Sequence, residues 1–443
     1  MRSPTVTRRR FLQLTGVSAL TAASWSRVRG ANETLRLASV GTGGKGWDDL
    51  VHVSASPNVT VVALCDTDES EKFLGRAATK FKAAKTFTDW RRLLDRSKDF
   101  DAVTVSTPDH MHAPISLPAM ALGKHVFCQK PLTHTVFEAR QMQLAAKRAG
   151  VVTQMGNQIQ SHSAYRTAVK LVHDGVIGKV KEVYSWQAGK MAWMLTPDLP
   201  DGSDPVPAGL HWNEWLGAAR ERPYKKDLYH SFNWRAWQDF SNGQLGDFGC
   251  HILDPVFLAL GLTAPLTIRA ESEGMNRSVW YAQSVVRYEF PGTERTAGKT
   301  LGLTWYDGEG KLPPRAALGL AREVKLPGAG SLLIGEKGSL LIPHVAAPKL
   351  FPEADFTGFK IETVPDVDHY VGWADACRGV GKTTSHFDYA SALTETVLLG
   401  TVAIRTPGET LKWDTAKLAV TNSKAATALL TKPYRKGWEP TWV

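Results

Sequence analysis

The chain has 443 residues, 43% apolar and 22% charged, a balance that excludes disordered, collagenous and coiled-coil proteins and suggests two or three domains. Its 53 Lys and Arg against 43 Asp and Glu give a net charge of +10, but six of the arginines lie in residues 1–30, which hold no acidic residue and no lysine. The remaining 47 basic against 43 acidic groups give no charge argument for nucleic-acid binding, and no run reaches the ~18 apolar residues of a membrane span.

Residues 1–33 read as an export segment. Thr7-Arg8-Arg9-Arg10-Phe11-Leu12-Gln13 precedes a mildly apolar stretch to Ala23, the charged and short hydrophobic regions of a secretory signal. The paired arginines resemble the twin-arginine motif, which implies export of a folded cargo to the periplasm by the twin-arginine machinery. Two cleavage sites stay open, at Ala22-Ala23-Ser24 and at Arg29-Gly30-Ala31. A basic arm touching anionic surfaces is the alternative, but such an arm needs no apolar run behind its arginines.

From Leu35 strands and helices alternate. Strands are expected at Leu35–Val40, Val59–Leu64, Ala102–Ser106, His125–Phe127 and Val151–Met155. Helices are expected over 44–54, 68–81, 89–95 (capped by Thr88), 113–122 and 136–149 (capped by Thr135, ended by Gly150). Such alternation predicts a parallel sheet covered on both faces, a Rossmann-type domain over residues 34–157. Beyond it, 158–443 reads as an α+β domain on an open, mostly antiparallel sheet. Its expected helices are 163–173, 247–260, 370–377 and 390–405. Its expected strands are 180–187, 267–270, 284–290 and 301–306, with a hairpin of 331–334 and 339–342. The stretch 189–245 is irregular and rich in Trp, Pro and Gly. Cys65, Cys128, Cys250 and Cys377 form no CxxC pair and read as free thiols.

Gly41-Thr42-Gly43-Gly44-Lys45-Gly46 follows the first strand and opens the first helix, a G-x-G-x-x-G pattern in the context of a dinucleotide site. The helix N-terminus favours phosphate charge there. Asp66, twenty residues past Gly46 at the end of the second strand, is placed to hold a ribose 2′-OH. Its charge repels a 2′-phosphate, and Thr67-Asp68 bring no arginine, so NAD is expected over NADP, although Lys45 leaves NADP open. A cofactor-free glycine turn is the alternative.

Three further stretches carry chemistry: Ser106-Thr107-Pro108-Asp109-His110-Met111-His112, Cys128-Gln129-Lys130-Pro131, and Gly246-Asp247-Phe248-Gly249-Cys250-His251. The first two follow parallel strands, where ligands of open α/β sheets bind. Asp247 and His251 are four apart on one helical face, a carboxylate and imidazole suited to taking a hydroxyl proton. Lys130 also reads as a solvated strand-end lysine, and Asp247 as a helix cap. His110, His112, His134 and Cys128 suggest a metal only weakly, and none is expected.

Together these motifs resemble the glucose–fructose oxidoreductase / inositol dehydrogenase / rhizopine-catabolism (Gfo/Idh/MocA) family, from residue 34 to the C-terminus. Asn233-Trp234-Arg235 and Leu398-Leu399-Gly400 resemble its tryptophan-rich, Tat-exported bacterial branch. The resemblance implies an oxidoreductase in which Lys130 bonds the reacting hydroxyl. Asp247 and His251 form the acid/base pair, with His251 the proton acceptor. Thr107, Pro108 and His112 border the cofactor, and the antiparallel sheet mediates a homo-oligomer. The chain departs from the family's Glu-Lys-Pro at Gln129, which still bonds a ribose hydroxyl; without the carboxylate, Lys130 is expected to share proton transfer more readily. Twelve of fifteen tryptophans lie beyond residue 150; any one of them suits a core, but as a group they point to a carbohydrate. Gln158, His162, Trp234 and Arg235 are the candidate substrate contacts.

Export constrains the reaction, because the periplasm offers no free NAD pool. The cofactor is expected to travel in the enzyme and be regenerated there by a second substrate. Alternatively it is regenerated within one redox-neutral cycle of oxidation, elimination, hydration and reduction, as in an NAD-dependent glycosidase or lyase. A non-catalytic NAD-occupied binding protein is the third reading.

Overall fold

The computed structural model describes residues 34–189 and 198–440; residues 1–33, and with them the export segment, lie outside the described residues. Among the described residues no helix is long and apolar enough to cross a membrane.

The first domain is a six-stranded sheet of β1 (Leu35–Val40), β2 (Val59–Cys65), β3 (Lys85–Phe87), β4 (Ala102–Val105), β5 (His125–Cys128) and β6 (Thr153–Met155). Its order is β3-β2-β1-β4-β5-β6 and every pairing is parallel. The near-continuous apolar strands reflect burial on both faces; β4 is buried at all four positions. Helices α1 (Lys45–Ser54), α2 (Leu74–Lys80), α3 (Trp90–Leu94), α4 (His112–Ala121) and α5 (Val136–Ala149) cross between the strands. The α5 boundaries follow from local chemistry: Thr135 and Glu138 form a capping box, and Gly150 ends the helix in the left-handed region.

The second domain starts with α6 (Ser163–His173) and builds a nine-stranded sheet on β7 (Val180–Gln187). Its further strands are β8 (Thr267–Glu273), β9 (Gln283–Pro291), β10 (Thr300–Asp307), β11 (Ala329–Gly335), β12 (Ser339–Pro343), β13 (Lys349–Phe351), β14 (Thr410–Asp414) and β15 (Ala419–Val420). Among the described strands of this second sheet only β7 and β10 pair in parallel; its other pairings are antiparallel. Helices α7 (Gly243–Ile252), α8 (Asp254–Leu260), α9 (His369–Cys377) and α10 (Phe387–Arg405) complete the domain. Gly400 lets α10 pack on the sheet, since a Cβ there would stand 2.0 Å from the Tyr288 hydroxyl. Late in the chain, α9 returns to the first domain, where Tyr370 and Trp373 share a core with Leu35, Leu37 and Phe127.

Three local expectations are corrected. The helix at 89–95 is capped by Asp89, whose carboxylate accepts from Arg91 N, and not by Thr88. The helix expected over 68–81 begins only at Leu74. Residues before it are drawn into other bonds, Glu69 N donating to Gly209 O and Asp68 Oδ1 accepting from Ser70 N. The helix expected over 247–260 starts earlier, at Gly243, and breaks at Leu253, where Pro255 lacks the N–H to continue the ladder. All four cysteines are buried and free.

Candidate active site

The carboxyl ends of β1, β2, β4 and β5 open into one cavity of about 760 Å³, whose opposite wall comes from α7 and the irregular segment before it. It straddles β1 and β4, where the strand order reverses, the place where α/β sheets bind ligands.

One end is built by the glycine loop. Gly41 has φ +82°, and a Cβ there would lie 2.6 Å from Ser106 O; a Cβ on Gly46 would lie 2.1 Å from Gly41 O. These glycines therefore let the loop lie close to β4 and α1. Gly43 packs on the ring of Phe73, and Gly44, at φ +51°, faces open space where a Cβ would stand. Gly41, Gly43, Gly44 and Lys45 line the cavity. Thr42 and Gly46 sit behind that wall. Thr42 N donates to Asp66 Oδ2 at 2.7 Å, and Asp68 N donates to Asp66 Oδ1 at 3.1 Å. Burial pushes the Asp66 carboxyl up, against these two N–H groups; its side chain still lines the cavity. Lys45 is turned to Asp49 Oδ1 (2.7 Å) and the Tyr370 hydroxyl (2.8 Å).

The other end holds Lys130, Asp247 and His251, all on the cavity wall. Lys130 Nζ pairs with Asp247 Oδ1 and donates to the Asp247 carbonyl at 2.6 Å. Arg235 Nε stands 4.0 Å from Asp247 Oδ2. Burial acts to raise the Asp247 carboxyl, but Lys130 and Arg235 outweigh it and hold it below its usual range. Burial, reinforced by the Lys130 charge, pushes His251 well below the usual imidazole range, so it is neutral near pH 7. Asp247 is thus a fixed anion and His251 a neutral ring, a division the shared helical face alone does not specify.

NAD fits this cavity on grounds of the structure itself. Buried Thr107 Oγ1, Gln158 Oε1 and His251 Nδ1 lack hydrogen-bond partners among the described residues, and all three residues line the cavity. Ribose hydroxyls and a carboxamide are groups that answer such atoms. Pro108 and Gln129 also line the wall, though Gln129 is largely buried and spends its amide N–H on Asp49 Oδ2.

Trp234 and Arg235 reach the cavity, the guanidinium lying 4.3 Å from the ring centroids of both Trp234 and Phe232. Trp215 lines it as well, whereas Trp237 is fully buried and Trp212 stacks on Trp215 at 4.8 Å. Of the four described tryptophans in this segment, Trp212 and Trp237 are thus supporting aromatic core, and Trp215 and Trp234 join that core while also reaching the cavity.

Two expected site residues are placed elsewhere. His112 is buried with one ring nitrogen on Pro131 O and the other on Thr107 O, both 2.8 Å, so it braces the two motif loops from behind and does not border the cavity. His162 caps α6, its Nδ1 accepting from Ala164 N, and does not line the cavity. His110 and His134 bond backbone carbonyls of Leu216, Gln238 and Ser241. Among the described residues no group of three His, Cys, Asp or Glu could hold a metal ion.

Several residues on or just behind the wall were not expected from the sequence. Asp109 lies inside one of the three motifs and faces the cavity. Asp49 stands four residues after Lys45, a spacing that signals their ion pair. His230 carries no local signal; its Nε2 lies 2.7 Å from Asp68 Oδ2. With Glu69 N on Gly209 O (3.0 Å) and His211 N on Thr67 O (2.8 Å), this contact straps the irregular segment over the loop after β2.

Comparison with known proteins identifies the two domains. Residues 35–157 match a family model described as oxidoreductase family, NAD-binding Rossmann fold, and residues 162–291 its companion, described as oxidoreductase family, C-terminal alpha/beta domain. The chain is 31% identical over 188 residues to levoglucosan dehydrogenase of Pseudarthrobacter phenanthrenivorans, covering 42% of this chain and 40% of that protein. It is 28% identical over 170 residues to a glycosyl hydrolase family 109 protein of Shewanella pealeana, covering 37% of each. The matched region thus spans about two fifths of the length of these relatives. The fold is similar to that of the WlbA dehydrogenase from Bordetella pertussis, solved with NADH and UDP-GlcNAcA, with a TM-score of 0.59 at 16% identity over 86% of this chain and 99% of that one.

Proposed function

The chain belongs to the Gfo/Idh/MocA oxidoreductase family, and from that premise we propose that it oxidises a hydroxyl of a sugar, glycoside or polyol with a tightly held NAD. The observation that carries the reading is the convergence of Lys130, Asp247 and His251 at one end of the cavity whose other end is the glycine loop and Asp66.

In this reading the loop amides and the start of α1 hold the pyrophosphate, and Asp66 takes the ribose hydroxyls. Bound NAD supplies the hydride acceptor. Lys130, anchored on Asp247, donates to the substrate oxygen and stabilises charge that builds there as the C–H bond weakens. Neutral His251 accepts the hydroxyl proton. Trp234 and Arg235 offer an aromatic face and a hydrogen-bonding edge to a sugar ring. The strap formed by His230, His211 and Gly209 covers the cofactor end and slows its loss. Such retention suits export of the folded, loaded protein by the twin-arginine machinery to the periplasm, and self-association through the open sheet; both belong to the proposal.

A redox-neutral variant has one observation in its favour, the carboxyl of Asp109 on the same wall, since elimination needs an acid for the leaving group. Incubation with glycosides and no electron acceptor separates the two. A single burst of NADH absorbance supports the oxidoreductase, and sustained cleavage supports the glycosidase or lyase. Absence of bound nicotinamide after purification, with free exchange of added NAD, contradicts the carried cofactor.

A further inference from the structure

Asp109 sits in the turn after β4, nearly fully buried, and lines the cavity beside Lys130 and Asp247. Its two oxygens are used differently. Oδ2 accepts from Asn242 N at 3.1 Å and from Asn242 Nδ2 at 3.2 Å, which ties the turn to the residue preceding α7, the helix that carries Asp247 and His251. Oδ1 has no hydrogen-bond partner among the described residues, although the residue borders the cavity. Among the described residues no ion pair reaches Asp109; Lys130, which shares its wall, is bound to Asp247.

We infer that Asp109 is the group on which the substrate hydroxyl's proton comes to rest, an acid/base function that goes beyond the Lys130–Asp247–His251 site and rests on the oxidoreductase reading. The other groups on the wall are poorly suited to keep that proton. Asp247 is held as an anion by Lys130 and Arg235, and the imidazolium of His251 is disfavoured by burial and by Lys130. Asp109 differs. Burial, then repulsion from Asp247, raise its carboxyl to about 7, against the opposing pull of Lys130, Arg235 and the Asn242 amide. Lys432 also feels the Asp109 charge from the far side, as do the buried thiols of Cys128 and Cys250. A carboxyl poised near working pH is matched to both accepting and returning a proton.

The step balances simply. The C–H bond breaks with its electron pair leaving as the hydride that bound NAD would accept, the O–H bond breaks, the carbon–oxygen bond becomes a carbonyl, and the hydroxyl proton ends on Asp109, on the same cavity wall. In the reverse direction the Asp109 carboxylic acid supplies the proton to the new hydroxyl.

The test compares purified NAD-loaded wild type with Asp109→Asn and Asp109→Glu. Infrared difference spectra between pH 5.5 and 8.5 should show protonated-carboxyl absorption titrating near pH 7, to which Asp254 also contributes; the part belonging to Asp109 should be lost in Asp109→Asn, leaving the Asp254 part, and shifted in Asp109→Glu. With a sugar, chosen from a panel of sugars and glycosides, that reduces the wild-type cofactor, Asp109→Asn should oxidise it about 10- to 100-fold more slowly at pH 7. It should also lose the limb of the pH profile near 7, and Asp109→Glu should recover part of both. Identical infrared titrations in wild type and Asp109→Asn overturn the inference, as does an unchanged pH profile. If no sugar in the panel reduces wild type, the oxidoreductase reading fails instead, and the infrared comparison still decides the protonation of Asp109.

Discussion

Gln129 donates its side-chain N–H to Asp49 Oδ2 at 2.8 Å, which places the buried negative charge of this region on α1 and the neutral amide on the Gln-Lys-Pro motif. Asp49 is fully buried and is completed by Lys45 Nζ at 2.7 Å and Ser106 Oγ at 2.8 Å. Gln129 Oε1 in turn accepts from Lys130 N at 3.2 Å. The amide thus links the glycine-loop helix to the backbone of the reacting lysine, and the departure from Glu-Lys-Pro has a local reason.

Gln129→Glu would set two carboxylates at hydrogen-bonding distance with one donor lost. It is expected to cost roughly 1–3 kcal/mol, read as a lower melting temperature and lower NAD content. Adding Asp49→Asn to it returns a donor facing a carboxylate and should recover most of the loss. A Gln129→Glu protein as stable and as NAD-loaded as wild type would show that the pair is not coupled.

The strap over the cofactor end depends on His230 and Asp68. Partial burial pushes the Asp68 carboxyl up, but hydrogen bonds from His230 and Ser70 outweigh it and hold the group below its usual range. His230→Ala is expected to speed loss of bound NAD by about tenfold, in line with ~1.4 kcal/mol for one charge-assisted hydrogen bond. Loss can be followed by dilution and filtration. Unchanged retention would show that the strap does not gate the cofactor.

Asp254 supplies a pH test of the fold away from the reacting groups. Its Oδ1 accepts from Asn157 (3.0 Å), Gln160 (2.9 Å) and Tyr389 (2.7 Å), while burial, the dominant effect, raises the carboxyl to about 7. A raised carboxyl stabilises the fold while it stays protonated, so its contribution is complete below about pH 4 and is lost as pH rises towards 7. Asp254→Asn lacks that loss. Its melting temperature relative to wild type should therefore climb between pH 5 and pH 8; a constant difference would contradict the assignment.

Much of the architecture was legible because it is locally encoded. The Thr135 cap, the stop at Gly150 and the strand from Val180 to Gln187 each follow from residues close together in the chain. The errors fall where distant chain segments decide. Residues 68–73 forgo a helix because 209–211 and His230 claim their polar groups. His162 has the right residue type and neighbourhood for a ligand contact but is consumed as a cap. Asp109 stood in a recognised motif, yet its environment is made by Asn242, 133 residues away, and no spacing rule conveys that. Lys130 and the glycine loop follow strand ends, positions the pattern of alternation locates, whereas Asp247 lies a turn inside α7, whose start at Gly243 the pattern did not give.

The most direct test of the central claim is a single-turnover experiment on purified protein with no added cofactor or electron acceptor, scanning sugars and glycosides for NADH absorbance. The expected result is a burst stoichiometric with the bound NAD for at least one sugar, reduced at least about 10³-fold in rate by Lys130→Ala while its NAD content stays at wild-type level. No reduction by any sugar of a fully NAD-loaded protein, or a Lys130→Ala burst as fast as wild type, would contradict the assignment of this cavity as the site of hydride transfer.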